Sequence, residues 1–239
     1  MTTNVLEHLQ WDSDFFGYKV ARFIFDENGL SKYYHIIDEI KETNVRLTYL
    51  YSPPSARELN ERIVSSGGVL VDKKTIFVKS TEKHTTFYNR ISEWQESEPG
   101  HKLVNLALNA GIYSRFFLDK KFSNNEYERL YTKWLLKSVS GELALKTIIA
   151  RNESEITGFI TLGKNNMRAD IGLISVDPLF RGKGIGSDLV KYADNLSLNM
   201  GFDQIGVVTQ LDNVNACKLY TNCGFKIESI TDVYHLWLY

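Results

Sequence analysis

The chain is predicted to adopt an α/β (α+β) fold: a mixed, mostly antiparallel sheet flanked by helices and preceded by a smaller α/β unit. Three observations predict it. The first 80 residues alternate short apolar strands with two helical stretches. Residues 101–239 read as two helices, three strands and then a helix–strand–helix–strand run, the pattern of a sheet covered by helices. Between them, residues 81–100 are polar and poorly periodic, rich in Ser, Thr, Glu and Lys. The expected division is therefore a small α/β domain at 1–80, a linker at 81–100 and a larger domain at 101–239.

In chain order, Val5–Gln10 and Tyr18–Phe25 read as strands around a turn at Trp11–Gly17. Tyr33–Thr43 reads as a helix, because Tyr33, Ile36, Ile37 and Ile40 share one face. Leu47–Tyr51 is a strand stopped by Pro53-Pro54. Ser55 is placed to cap a helix ending near Gly67-Gly68, and Val69–Val78 returns as a strand. After the linker, Lys102–Tyr113 and Asn125–Ser138 read as helices, and Ala144–Arg151, Glu155–Leu162 and Arg168–Val176 as strands. A helix from about Gly184 to Met200 is closed by Gly201. A strand Gln204–Gln210, a helix Asn213–Cys223 and a terminal strand Ser229–Tyr239 complete the chain.

The balance of charge narrows the partners. Formal net charge is −1, so no global basic field points to nucleic acid or an anionic membrane, although a few aimed groups can still hold a phosphate. The longest apolar runs, such as Leu173–Val176, are far too short to span a bilayer. The opening Met1-Thr-Thr-Asn-Val-Leu-Glu has no basic region followed by an apolar one, so no secretory leader is expected. Cys217 and Cys223 lie six apart with no nearby histidine. Structural thiols in a cytoplasmic protein, and no metal, are the expectation.

The chemistry concentrates after the strand Ile171–Val176. Val176-Asp-Pro178 ends the ladder, because proline has no N–H to give. Then follow Arg181, Gly182, Lys183, Gly184, Ile185, Gly186 and Ser187, leading into a helix with an apolar stripe at Ile185, Leu189, Ala193, Leu196 and Met200. Strand, glycine loop and helix N-terminus together suit phosphate: glycines admit close approach, first-turn N–H groups point outward, and the helix dipole favours negative charge. Arg181 and Lys183 add formal charge. Taken alone, such a loop is also compatible with a plain tight turn. Gly-Lys-[Ser/Thr] is absent here, and the loop follows several strands, so neither a P-loop nor a dinucleotide-binding unit fits.

A second block strengthens the reading. A helix and a strand later comes Asn213-Val-Asn-Ala216-Cys-Lys-Leu219-Tyr220-Thr-Asn-Cys-Gly224-Phe225. Asn213 is placed to cap a helix, Tyr220 lies two turns on along the same side, and Gly224 ends it. Arg181-x-x-Gly184-x-Gly186 after Val-Asp-Pro, with Asn213-x-x-Ala216-x-x-Leu219-Tyr220-x-x-x-Gly224-Phe225, resembles motifs A and B of the GNAT superfamily of N-acetyltransferases. The resemblance covers roughly residues 140–239.

It implies a GNAT fold and acetyl-CoA as co-substrate. The pantetheine arm would pair with Ile174, Ser175 and Val176, and the pyrophosphate would sit on the amides of Arg181–Ser187. Asn213 would touch the cofactor arm, a backbone N–H near Val176 would steady the oxyanion, and Tyr220 would protonate the departing sulfur. Packing within the core is the competing role for Tyr220, and simple capping for Asn213. Asp170, Glu142 and Asp177 are carboxylates near these strands, but none stands out as the base.

A narrower resemblance concerns the acceptor. Trp11-x-x-x-Phe15-Phe16-Gly17, Ser114-Arg115-Phe116, Tyr131-x-x-Trp134 and Thr209-Gln210 resemble stretches of TDP-fucosamine acetyltransferases. That likeness implies a dTDP-linked amino-dideoxy sugar, a nucleotide-sugar substrate of surface polysaccharide synthesis. Tyr113, Arg115, Phe116 and Tyr131 would line its pocket, with core packing the alternative for the aromatic residues. Acylation of a protein N-terminus, lysine or small amine is the competing enzymatic reading, and a non-catalytic CoA-binding domain the other. The apolar terminal strand, with Tyr234, Leu236, Trp237 and Leu238, suits either a homodimer or burial in its own sheet.

Overall fold

The computed structural model describes residues 5–85 and 89–238. The first four residues, residues 86–88 of the expected linker, and Tyr239 of the expected terminal strand lie outside the described residues. The chain divides into two compact units, one formed by its beginning and its last eleven residues (229–239), the other by residues 76–228.

The first unit contains β1 (Glu7–His8), α1 (Gln10–Phe16), β2 (Val20–Ile24), α2 (Leu30–Glu42), β3 (Leu47–Ser52), α3 (Arg57–Ser65) and the start of β4 (Val69–Ser80). The second continues through β5 (Ile91–Glu93), α4 (His101–Ala110), α5 (Arg115–Leu118), α6 (Glu126–Val139), β6 (Lys146–Asn152), β7 (Glu155–Asn165) and β8 (Arg168–Val176). A single 3-10 turn (Pro178–Phe180), α7 (Ile185–Asn199), β9 (Gln204–Gln210) and α8 (Val214–Asn222) follow. The chain closes with β10 (Lys226–Trp237), most of which belongs to the first unit.

In the first unit β2 runs antiparallel to β1 and parallel to β3, and β3 pairs antiparallel with β10 from Ser52↔Asp232 to Leu47↔Trp237. That six-residue ladder draws the terminal strand out of the larger expected domain. Phe23, Ile36, Ile40, Leu50, Ile63 and Leu236 are buried in one core under α2 and α3. Tyr234 and Leu236 are each 3% exposed, so the apolar strand is covered within its own unit.

In the second unit the order is β9-β8-β7-β6-β5, antiparallel except for the parallel β8–β9 pair. Ile148, Ile160, Ile171, Leu189, Ala193 and Val207 form the core between this sheet and α7. Mixed sheet and flanking helices are the architecture expected from the strand and helix pattern.

Four local expectations need correction. Trp11–Gly17 is helical: Trp11 and Phe15, one turn apart, stack at 5.3 Å, and Gly17 ends α1 at φ 79°. The strand expected to reach Gln10 is cut to Glu7–His8 by that helix. The linker contains β5, which pairs with β6 from Ile91↔Ala150 to Glu93↔Ile148. A three-residue strand between polar neighbours is too short to show a period. Ser55 is not the cap of α3; Ala56 holds that position, and the Ser55 hydroxyl donates to Glu27 at 2.8 Å.

Candidate active site

The site begins where two strands part. β8 stays paired with β7 as far as Gly158↔Val176, but its parallel ladder with β9 runs only from Ala169↔Ile205 to Ile171↔Val207. A register shift between Ile160 and Leu162 marks the same place, and there the Thr161 hydroxyl accepts the N–H of Leu173 at 2.8 Å. Asp177 N–H bonds Thr157 C=O at 2.9 Å. By the alternation of an antiparallel ladder, Ile174 and Val176 therefore turn their N–H and C=O groups toward the opened edge. Arg181 Nε donates to the Val176 carbonyl at 3.1 Å.

The chain leaves β8 through Asp177, whose carboxylate accepts from Leu179 N–H at 2.9 Å and from Lys102 Nζ at 2.6 Å. The Lys102 ammonium, helped by the Leu179 amide, holds that carboxyl below the usual 3.8. Gly182 and Gly184 take φ 76° and 79°, a conformation costly for residues with a Cβ. This turns the chain into α7, whose first amides have no acceptor within the helix and face outward. A Cβ at Gly186 would lie 3.3 Å from a Leu219 methyl and 3.6 Å from one of Val176. Glycine there lets α7 pack closely on both.

α8 supplies the facing wall. Asn213 caps it, its side chain accepting Ala216 N–H at 3.2 Å. Two turns on, Tyr220 is 2% exposed, with Phe77 and Phe225 rings at 5.7 and 5.9 Å. Burial pushes its phenol up from the ordinary 10.0, so it stays protonated throughout the neutral range.

These elements enclose a cleft of about 540 Å³. Ile174, Ser175, Val176, Arg181, Gly182, Gly184, Ile185, Gly186, Ser187, Asn213 and Tyr220, all expected from the sequence, line it. Lys183 is absent from the lining; its ammonium lies 4.8 Å over the Phe180 ring. The C-terminal end of α4 and the turn after it add Asn109, Ala110, Ile112 and Tyr113. Nothing in the sequence pattern marked Asn109 or Ile112 as site residues.

Of the expected acceptor residues, only Tyr113 reaches this cleft. Phe116 is buried against Phe122 and Trp134, and the Arg115 guanidinium lies 4.6 Å over the Phe116 ring. Tyr131 is 7% exposed, between Tyr127 and Trp134. Its ring also occupies the space a side chain at position 111 would need, against Gly111. It braces the turn that carries Ile112 and Tyr113.

An unpaired strand edge beside a helix N-terminus can receive an extended amide chain at one end and its phosphates at the other. Residues 110–225, which include nearly all of this lining, match the Acetyltransferase (GNAT) family model. The chain carries a GNAT acetyltransferase domain.

Two relatives extend beyond the motifs. The spore coat polysaccharide biosynthesis protein SpsD of Bacillus subtilis is 27% identical over 157 residues, 64% of this chain and 54% of that protein. The dTDP-fucosamine acetyltransferase of Escherichia coli is 32% identical over 113 residues, 46% of each chain. The chain thus spans about half the length of each of these relatives. In fold, a GCN5-related N-acetyltransferase from Sphaerobacter thermophilus superposes with a TM-score of 0.55 at 11% identity, covering 91% of this chain and 73% of that one. Among the described residues no helix is long and apolar enough to cross a membrane.

Proposed function

We propose that this protein transfers the acetyl group of acetyl-CoA to the amine of a dTDP-linked amino-dideoxy sugar, most simply a 4-amino-4,6-dideoxyhexose, for surface polysaccharide synthesis. The observation that carries the acetyl-transfer part is the convergence, on one cleft, of the opened β8 edge, the glycine loop and Tyr220. Support for the sugar comes from the two relatives named for polysaccharide biosynthesis and for dTDP-fucosamine.

In this reading the pantetheine arm lies along Ile174–Val176, with its amides bonded to the open backbone groups. The diphosphate lies on the outward amides of the loop and of the first turn of α7. A neutral amine attacks the thioester carbonyl, and the Val176 N–H steadies the oxygen as it gains charge. The carbon–sulfur bond then breaks, and the Tyr220 phenol protonates the departing thiolate. The proton shed by the attacking nitrogen restores the phenol, so the cycle balances, and because the amine attacks the thioester directly no acyl-enzyme is needed. Cys217 and Cys223 act as packing residues.

The test is to mix the full chain with acetyl-CoA and a panel of dTDP-amino-dideoxy sugars, including 4-amino galacto and gluco isomers and 3-amino analogues, with a peptide control. Free thiol and acetylated product are followed together. Turnover with a 4-amino sugar supports the proposal. Turnover with the peptide alone, or with none of the sugars despite acetyl-CoA binding, overturns the sugar reading and leaves the cofactor reading standing.

A further inference from the structure

Arg90, one residue before β5, stands beside the glycine loop although about ninety residues separate them in the chain. Its carbonyl accepts the Arg151 N–H at 2.9 Å, which fixes its backbone to the neighbouring strand. Its side chain then reaches the loop. Nη2 donates to the Lys183 carbonyl at 3.3 Å and pairs with the Asp188 carboxylate. The same nitrogen is 4.0 Å from where a Cβ on Gly184 would be.

Asp188 is the acidic residue in the first turn of α7. A carboxylate there favours the helix by itself, because it meets the positive end of the dipole. It is also a like charge beside any anion seated on the amides of Ile185, Gly186 and Ser187, and so opposes the binding that the loop otherwise promotes. The Lys183 carbonyl poses the same problem on a smaller scale if its oxygen turns inward. Arg90 answers both: one guanidinium nitrogen cancels the carboxylate and tethers the carbonyl. Of the cations within the loop, Arg181 bonds the Val176 carbonyl inside the cleft and Lys183 lies over the Phe180 ring, whereas Arg90 pairs with Asp188.

We propose that Arg90 is a positioning residue for the phosphates of the acyl donor, neutralising Asp188 and holding the Lys183 carbonyl out of the anion site. This rests on the acetyl-CoA reading above. It adds a residue outside both sequence motifs, and a specific electrostatic reason why the loop accepts a diphosphate next to an aspartate.

The test is calorimetric titration of acetyl-CoA into the full chain at low and high salt, with circular dichroism to verify folding. Arg90→Ala is expected to weaken binding about tenfold at low salt, the scale of one charge interaction at a protein surface. The deficit should shrink at high salt as screening removes the repulsion. Asp188→Asn alone should bind at least as tightly as wild type. The double variant Arg90→Ala/Asp188→Asn should recover most of the loss, a rescue that a purely structural role would not give. Wild-type affinity in Arg90→Ala overturns the inference, as does a double variant as weak as the single. If folded wild type fails to bind acetyl-CoA, the cofactor reading itself falls, and the role of Arg90 with it.

Discussion

The ammonium of Lys79 lies 2.9 Å from the carboxylate of Asp194, and both side chains are buried, at 7% and 1% exposed. Lys79 comes from β4 and Asp194 from α7. The same ammonium donates to the Cys223 carbonyl at 3.3 Å, at the end of α8. One buried cation thus joins the helix that carries the glycine loop to the helix that carries Tyr220. His84 adds a second contact to Asp194 at 2.7 Å. Glu82, His84 and Asp194 bring ligand atoms within 4.8 Å of one another, but Lys79 is bonded to both carboxylates and supplies the positive charge there.

Breaking a buried pair by removing one partner leaves the other charge uncompensated, at a cost of about 3–5 kcal/mol. Asp194→Asn is expected to lose stability on that scale in urea unfolding at neutral pH. Glu82→Gln, at a side chain 60% exposed, should lose less than about 1 kcal/mol. Similar small losses in both would remove Lys79–Asp194 as the joint between the helices.

The glycine loop carries a second prediction. Gly186→Val places branched carbons where a first Cβ already approaches Leu219 at 3.3 Å, so α7 and α8 must separate. Acetyl-CoA affinity should fall by at least about tenfold, or roughly 1.4 kcal/mol, while the fold, followed by circular dichroism, persists. Gly100→Ala is the control for adding a Cβ without crowding, since Gly100 has φ −68° and no neighbour within 4 Å of its Cβ position. It should leave affinity unchanged.

Asp177 gives a dependence on pH. Its folded value is depressed, first by Lys102 and then by the Leu179 amide. Its contribution to stability is therefore full above the ordinary carboxyl value of 3.8 and is lost as pH falls through the lower folded value. In thermal unfolding, wild type should be more stable than Asp177→Asn at pH 5 to 7, a range chosen to lie roughly a unit or more above the usual aspartate value. That advantage should shrink as the pH is taken below 3.8. An advantage that grows on acidification would contradict the Lys102 pairing.

Much of the second unit was legible because its signals are local. β8 and β9 have the bounds that their apolar patterns indicate, Arg168–Val176 and Gln204–Gln210. Gly182 and Gly184 have the positive φ that makes glycine informative in a loop. Asn213 caps as its position in front of α8 suggested.

What escaped was not local. β5 has three residues and is recognisable only through its partner β6. Helical periodicity assigns Phe116 and Tyr131 to a face but cannot say whether that face meets a cleft or a core, and both lie in the core. Arg90 touches the loop through a chain reversal that no window of sequence contains. The terminal strand left the larger domain because its hydrogen bonds go to β3, near the other end of the chain.

Rapid-mixing turnover of Tyr220→Phe against wild type, with acetyl-CoA affinity measured in parallel, tests most directly whether acetyl transfer takes place in this cleft. The substitution removes one oxygen from a buried ring and leaves its packing against Phe77 and Phe225 in place. Turnover with the accepted amine should fall by about 10²–10⁴, the usual contribution of a positioned general acid, with affinity for acetyl-CoA changed by less than about threefold. Wild-type turnover in the variant would contradict the role of this phenol, and of the cleft built around it.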